Sequence, residues 1–350
     1  MGSRSASTDR DRPSQPLATR PASQRSVAIT GASSFLGQDL IGLLEEDPRV
    51  RRITALDVTA PTTAKAKTRV YELDLTEPAT EERVAEICQA DEIDTLVHLA
   101  FLGSPTHARA WAHELESVGT MHVLNACRRA RVQKLVMWSQ TVLYGAQPTH
   151  PNFLSEQHAL RARRDDPFFA DKIEAEQDAL RFGKPGKGRL VTILRTAPIL
   201  GPSVDNYVTR YLGRRLVPTL LGFDPLWQFL HEADAALAFK LAVDRDVGGV
   251  FNIVGDGVLP LSTVVKLSGR VAVPLPGPLM RGVARALWLA HLSEAPPSFI
   301  DYLKYLCVAD GAHAERVLGF KPLFSTRDAV LDFATAQHLR DVRLLTESAA

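Results

Sequence analysis

Cysteine is scarce in this 350-residue chain, which holds only Cys88, Cys127 and Cys307. An odd and widely spaced set excludes a disulfide framework, and no pair has the spacing of a metal site. Cys88 and Cys127 fall at the ends of helix-like segments, which points to reduced, buried thiols in a cytoplasmic protein. Excess charge is lacking too. With 41 Lys and Arg against 40 Asp and Glu, nothing in the balance recommends nucleic acid as a partner. No apolar run reaches the roughly 18 residues of a membrane span, and the first residues lack the apolar core of a signal peptide. Residues 1–25 lack apolar periodicity altogether. Rich in Ser, Arg, Pro and Thr, they cannot offset the entropy of ordering and read as a disordered tail, while Asp9 and Asp11 argue against a transit peptide. No internal repeat at a fixed period is present.

What the chain does have is 45% hydrophobic residues, enough for a large core, and one stretch that organises the rest, residues 26–40. Val27, Ala28 and Ile29 form a short apolar run suited to a buried parallel strand. Gly31 and Gly37 follow, spaced as the first and third glycines of a dinucleotide-binding turn, with Ser34 where the middle glycine would stand. The first glycine permits the tight turn, the third lets helix and strand approach, and the helix N-terminus offers amides to a pyrophosphate. A second apolar run, 53–56, ends in Asp57. A carboxylate there accepts both adenosine ribose hydroxyls and repels a 2′-phosphate, so it favours NAD over NADP.

The order of elements then predicts the fold. Strands are expected over 70–75, 95–100, 134–139, 190–194 and 250–254. Helices are expected over 81–89, 111–131 and 168–181, and an alanine-rich helix follows Phe229-Leu230-His231. In the helix over 111–131, Val118, Met121, Leu124 and Ala126 are the inward candidates. This alternation specifies an α/β fold, a doubly wound parallel sheet with right-handed crossovers. Residues 271–307 are apolar and proline-punctuated. A helix over 280–292 presents Val283, Ala284, Leu287, Trp288 and Leu292 on one face, as part of a C-terminal cap over the substrate. Trp288, Arg281 and Arg285 also suit an interfacial membrane helix. His231 and Asp234 read as a strand-to-helix junction, with a carboxylate favoured near the helix start.

Several ordered segments carry a resemblance: Thr30-Gly31-Ala32-Ser33-Ser34-Phe35-Leu36-Gly37, Val97-His98-Leu99-Ala100, Val118-Gly119-Thr120 with Asn125, Val142-Leu143-Tyr144-Gly145, Leu194-Arg195, Ile199-Leu200-Gly201-Pro202 and Phe229-Leu230-His231-Glu232-Ala233-Asp234. In these the chain resembles the extended short-chain dehydrogenases/reductases, in particular the NAD-dependent epimerase/dehydratase family with its UDP-glucose 4-epimerase-like members. The resemblance implies a Rossmann-type NAD-binding domain over 26–195, completed by about 228–254, and a smaller substrate-binding cap from 196–227 and 255–345. It implies that Phe35 and Leu36 offer amides to the pyrophosphate and that Asp74 and Leu75 flank adenine. It also implies that Leu99 and Ala100 line the cofactor cleft and that Pro198 lies near the nicotinamide. A homodimer through the helices over 111–131 and 168–181 is expected on the same ground.

The catalytic half departs from the family. Its Tyr-x-x-x-Lys pair falls on Phe168 and Lys172, so the phenol is absent while the lysine is present, and the resemblance implies that Lys172 binds the nicotinamide ribose. The hydroxylic residue falls on Gln140, flanked by Ser139 and Thr141, and the family's structural asparagine falls on Glu116. In the family a tyrosinate takes the substrate hydroxyl proton as hydride passes to nicotinamide. Tyr144, His98 and Glu116 are the replacement bases to weigh, each with a structural role to explain it equally. The resemblance therefore implies an atypical NAD-dependent oxidoreductase acting on a hydroxylated small molecule, with a nucleotide sugar among the candidates. The alternatives are a catalytically silent NAD-binding sensor or scaffold, and a lipid or sterol dehydrogenase at a membrane surface. The cap offers a diphosphate only Arg210, Arg214 and Arg215 as obvious ligands, and no metal ligand set is present.

Overall fold

The structure is a computed structural model and describes residues 24–184, 188–293 and 295–347. The tail expected over 1–25 lies outside the described residues apart from Gln24 and Arg25, and Arg25 already belongs to the first strand.

Seven strands form one parallel sheet in the order Gly249–Ile253, Leu190–Thr196, Lys134–Gln140, Thr95–His98, Arg25–Thr30, Val50–Asp57 and Thr68–Glu72. The chain winds outward in both directions from its first strand, so the crevice for a ligand opens at the carboxyl ends of Arg25–Thr30 and Thr95–His98. Register brings the parts of that crevice together, because Thr30 pairs with Leu56 on one side and with His98 on the other. Gly31, Asp57 and Leu99 therefore leave the sheet at one level.

Side chains alternate across each strand, and the two faces bury separate clusters. Val27 and Ile29 pack with the helices Phe35–Glu45 and Glu232–Asp244, while Ala28 faces Thr80–Ala90, Gly119–Arg129 and Pro167–Phe182. Burial on both faces is why the inner strands read as apolar runs rather than alternating ones.

The helix expected over 111–131 is not a single α-helix. It runs as Arg109–His113, a π-helical turn Glu114–Val118, and Gly119–Arg129. The widened turn carries Glu116 inward to 1% exposure, and such turns recur at functional sites. Of its inward candidates Leu124 and Ala126 are buried, but Met121 is 45% exposed, since a helical period cannot foresee which stripe the neighbouring helices cover.

Beyond the sheet, Leu216–Leu220 and Val271–Leu275 pair in parallel beside Tyr207–Leu212, Leu261–Leu267 and Thr326–Glu347. Their own core includes Val208, Leu212, Phe229, Val264 and Phe333. The helix expected over 280–292 spans Gly277–Leu289. Its expected apolar face divides: Trp288 is buried and Ala284 half-buried, Val283 and Leu287 stay 41% and 38% exposed, and Leu292 lies past the helix end at 74%. Trp288 stacks on His107 at 3.8 Å, joining this lobe to the loop after the fourth strand. Among the described residues no helix is long and apolar enough to cross a membrane.

Candidate active site

The glycine turn is built tightly enough that only glycine serves at two positions. A Cβ on Gly31 would stand 2.7 Å from the Leu99 carbonyl carbon, and one on Gly37 would stand 2.5 Å from the Gly31 carbonyl oxygen. Gly31 also takes a positive φ of 70°, where side chains are strained. Ser34, in place of the middle glycine, is the N-cap. Its Oγ donates to the Gly31 carbonyl at 2.7 Å and accepts from the Gly37 amide at 3.1 Å. The Phe35 and Leu36 amides keep no hydrogen-bond partner among the described residues, and they head an 11-residue helix. Asp57 is half-buried and accepts from the Ser33 amide at 2.8 Å and the Val58 amide at 2.7 Å, one bond on each oxygen. Each oxygen retains capacity for a further donor. Leu75 is buried, and the Asp74 carboxylate is engaged with Thr76. A close turn, two open amides and a fixed carboxylate form a cradle that fits a dinucleotide.

The catalytic positions are arranged less simply. Lys172 and Glu116 form a buried ion pair at 2.5 Å, and the same Glu116 oxygen accepts from the Leu102 amide at 2.7 Å. The Lys172 ammonium also lies 3.9 Å from the centre of the Phe168 ring. Burial raises the Glu116 carboxyl above its ordinary value and lowers the Lys172 ammonium, and in each case the attraction of the partner opposes the shift. Phe168 is nearly buried within an aromatic cluster.

The hydroxyls beside position 140 go elsewhere. Ser139 Oγ donates to Glu176 at 2.5 Å, and Glu176 is held by Arg195, which also donates to the Tyr144 hydroxyl at 2.8 Å. Tyr144 in turn donates to Asn252 at 2.8 Å. This buried network ties three strands together and accounts for Tyr144 as structure. His98 is fully buried between Thr30 and Thr120, and desolvation pulls its pKa down to about 3. Glu116, His98 and Tyr144 are thus all held by protein partners. Thr141 is buried against the segment of Cys307, whereas Gln140 faces a narrow cavity with Phe35, Pro198 and Trp138. Its Oε1 is buried without a partner among the described residues.

The same cavity has a residue that sequence reasoning missed, Tyr207. Its ring packs edge-on to Phe299 at 4.8 Å and to Phe168 at 6.2 Å, at the start of a helix whose N-cap, Asn206, forms a full capping box. The phenol has no hydrogen-bond partner among the described residues, and burial pushes its pKa well above the usual tyrosine value. Tyr207 also lines a larger cavity in the C-terminal lobe, so it stands where the two meet. A capping asparagine before an aromatic was its only signal in the sequence. Arg210, one expected diphosphate ligand, is held bidentate by Asp205 at 2.7 and 2.8 Å; Arg214 lies on the lobe cavity, and Arg215 is outside it.

Comparison with known proteins places these features in a family. The chain is 31% identical over 323 residues to an uncharacterised protein of Mycobacterium tuberculosis, covering 90% of this chain and 85% of that one. It is 27% identical over 244 residues to a 3-diazoavenalumate denitrifying reductase of a Streptomyces species, covering 67% and 77%. The structure of MoeE5 in complex with UDP-glucuronic acid and NAD is similar with a TM-score of 0.70 at 22% identity, over 90% of this chain and 99% of that one, a likeness of fold. Residues 27–254 match the NAD-dependent epimerase/dehydratase family across the glycine turn, the Asp57 strand and the cleft just described, and the chain belongs to that family.

Proposed function

We propose that this protein is an NAD-dependent oxidoreductase whose substrate oxygen meets Tyr207 instead of a residue at position 168. NAD, when bound, supplies hydride acceptance and donation at the nicotinamide. The cradle of Gly31, Phe35, Leu36 and Asp57 holds the dinucleotide, and Pro198 and Gln140 border its reactive end. The structurally similar MoeE5 complex holds NAD, which supports the cofactor. The observation that carries the catalytic reading is the unpartnered phenol of Tyr207 on the wall common to the cleft and the lobe cavity. Its raised pKa keeps it protonated, so it serves as a proton donor to a carbonyl more readily than as a base. That direction is reduction, which the Streptomyces relative's name also supports. The epimerase-like alternative, a nucleotide sugar oxidised and reduced in turn, needs a base that Phe168 does not provide. A silent NAD sensor would have no use for the phenol.

In this reading residues 196–227 and 255–345 form the substrate cap, and two copies pair across the helical faces bearing Trp111, Met121 and Leu180, all exposed. Three free cysteines, two of them buried, suit a cytoplasmic setting. A second reading, work at a membrane surface, is favoured by Leu279, Leu289 and Leu292 at 52%, 70% and 74% exposure. Co-sedimentation with phosphatidylcholine vesicles that is lost in a variant lacking 277–292 would support it, and protein left in the supernatant would remove it.

The cofactor half has its own test. Asp57→Ala removes the charged acceptor for the ribose and the repulsion of a 2′-phosphate. NAD affinity is expected to fall by roughly tenfold or more, the worth of hydrogen bonds to a charged group, and the preference over NADP to narrow. Calorimetric titration of both cofactors measures this, and equal affinities in the unaltered protein would overturn the assignment.

A further inference from the structure

The C-terminal lobe holds a half-open cavity of about 170 Å³ between Tyr207–Leu212 and Gly277–Leu289. Its wall is apolar and aromatic, with Trp227, Met280, Leu287, Phe299, Ile300 and Leu303 prominent. Most polar atoms on that wall already have protein partners. The Tyr211 hydroxyl donates to the Pro218 carbonyl at 2.7 Å, the Tyr302 hydroxyl to the Val142 carbonyl at 2.7 Å, and the Trp227 indole to the Tyr302 carbonyl at 3.3 Å. Of two arginines on the wall, Arg210 is paired with Asp205, whereas the exposed Arg214 has no carboxylate partner among the described residues. Among the described residues what remains is the Tyr207 phenol, on the wall shared with the cofactor cleft, and the Arg214 guanidinium at the exposed side.

A nucleoside diphosphate carries two or more charges and a base edge, each of which must find a partner on leaving water. Among the described residues this wall offers the charges one exposed guanidinium, Arg214, and the base edge little beyond the Tyr207 phenol. A cavity of comparable size, about 150 Å³ and apolar, stays dry and takes up an aromatic hydrocarbon. We infer that the lobe cavity binds an apolar small molecule, a ring or short isoprenoid body with one neutral carbonyl or hydroxyl head at Tyr207, and that nucleotide sugars are not its ligands. The half-open Val283 and Leu287 form its outer wall, so a longer body extends between them toward solvent. This rests on the reading of the site as an oxidoreductase only for the meaning of the head group; the binding itself needs neither NAD nor turnover.

The test uses the full chain and the neutral fluorescent probe N-phenyl-1-naphthylamine, with geraniol and UDP-glucose as competitors. One probe per chain is expected, displaced by geraniol and unaffected by UDP-glucose at far higher concentration. Ala284→Trp fills the cavity and is expected to weaken the probe by roughly tenfold or more, the effect of losing about two methylenes of apolar contact, with NAD affinity unchanged. Should that variant fold poorly, Val283→Gln at the exposed wall is expected to weaken the probe in the same direction. Displacement by UDP-glucose, or a probe whose affinity ignores both substitutions, would overturn the proposal. Loss of NAD binding in the unaltered protein would instead count against the oxidoreductase reading and leave the apolar site standing.

Discussion

Tyr207→Phe is expected to lower the proposed carbonyl reduction by about 10²–10⁴-fold, the usual worth of a positioned acid, while NAD affinity and thermal stability stay near those of the unaltered protein. The substitution removes one oxygen and keeps the ring against Phe168 and Phe299, so the aromatic packing survives. Burial raises the phenol's pKa, and the proposed role as proton donor needs the protonated form. The rate of the unaltered enzyme should therefore hold steady as pH rises toward the ordinary tyrosine value of about 10, and fall only above it. NADH absorbance over a panel of apolar aldehydes and ketones reads both effects. Phe168→Tyr supplies the companion experiment, because it places a phenol beside the Lys172 ammonium, which favours a tyrosinate. In the Tyr207→Phe background it is expected to restore part of the rate and to move the pH profile downward. Full activity in Tyr207→Phe would remove Tyr207 from the chemistry.

Lys172→Met is expected to cost about 3–5 kcal/mol of stability, the usual consequence of stranding one member of a buried ion pair. Glu116 is 1% exposed, and the loss would leave its carboxylate with the Leu102 amide as its remaining hydrogen-bond donor. The double variant Lys172→Met with Glu116→Gln is expected to regain most of that loss, since no uncompensated charge remains. Denaturant unfolding of the two singles and the double closes the cycle. The same variants isolate the cofactor role implied by the family pattern: a ribose contact by Lys172 would lower NAD affinity in the stable double variant as well. Unchanged stability in Lys172→Met would show that the pair is not held as described.

The particular residues explain how much could be read in advance. Gly31, Gly37 and Asp57 were legible because their roles are set by backbone geometry and local chemistry, and neighbours along the chain supply both. Strand boundaries shifted by a residue or two at most of the expected positions, for strand ends depend on register with the neighbouring strand. The Phe168 and Gln140 departures were visible as identities, but their consequences were not. Ser139, next to Gln140, looked equally able to supply a hydroxyl, yet strand alternation turns it to Glu176 on the opposite side.

The apolar periods, the glycine spacing and the acid after the second strand specify a doubly wound sheet and a dinucleotide cradle, because each acts over a few residues or one crossover. Lys172 with Glu116 and Tyr207 with Phe168 are separated by tens of residues. No local preference relates them. Only the packing of the helix Pro167–Phe182 against a π-helical turn on one side and the lobe on the other decides that the lysine is paired, that Tyr207 lines both the cleft and the lobe cavity, and that the cavity wall is largely apolar.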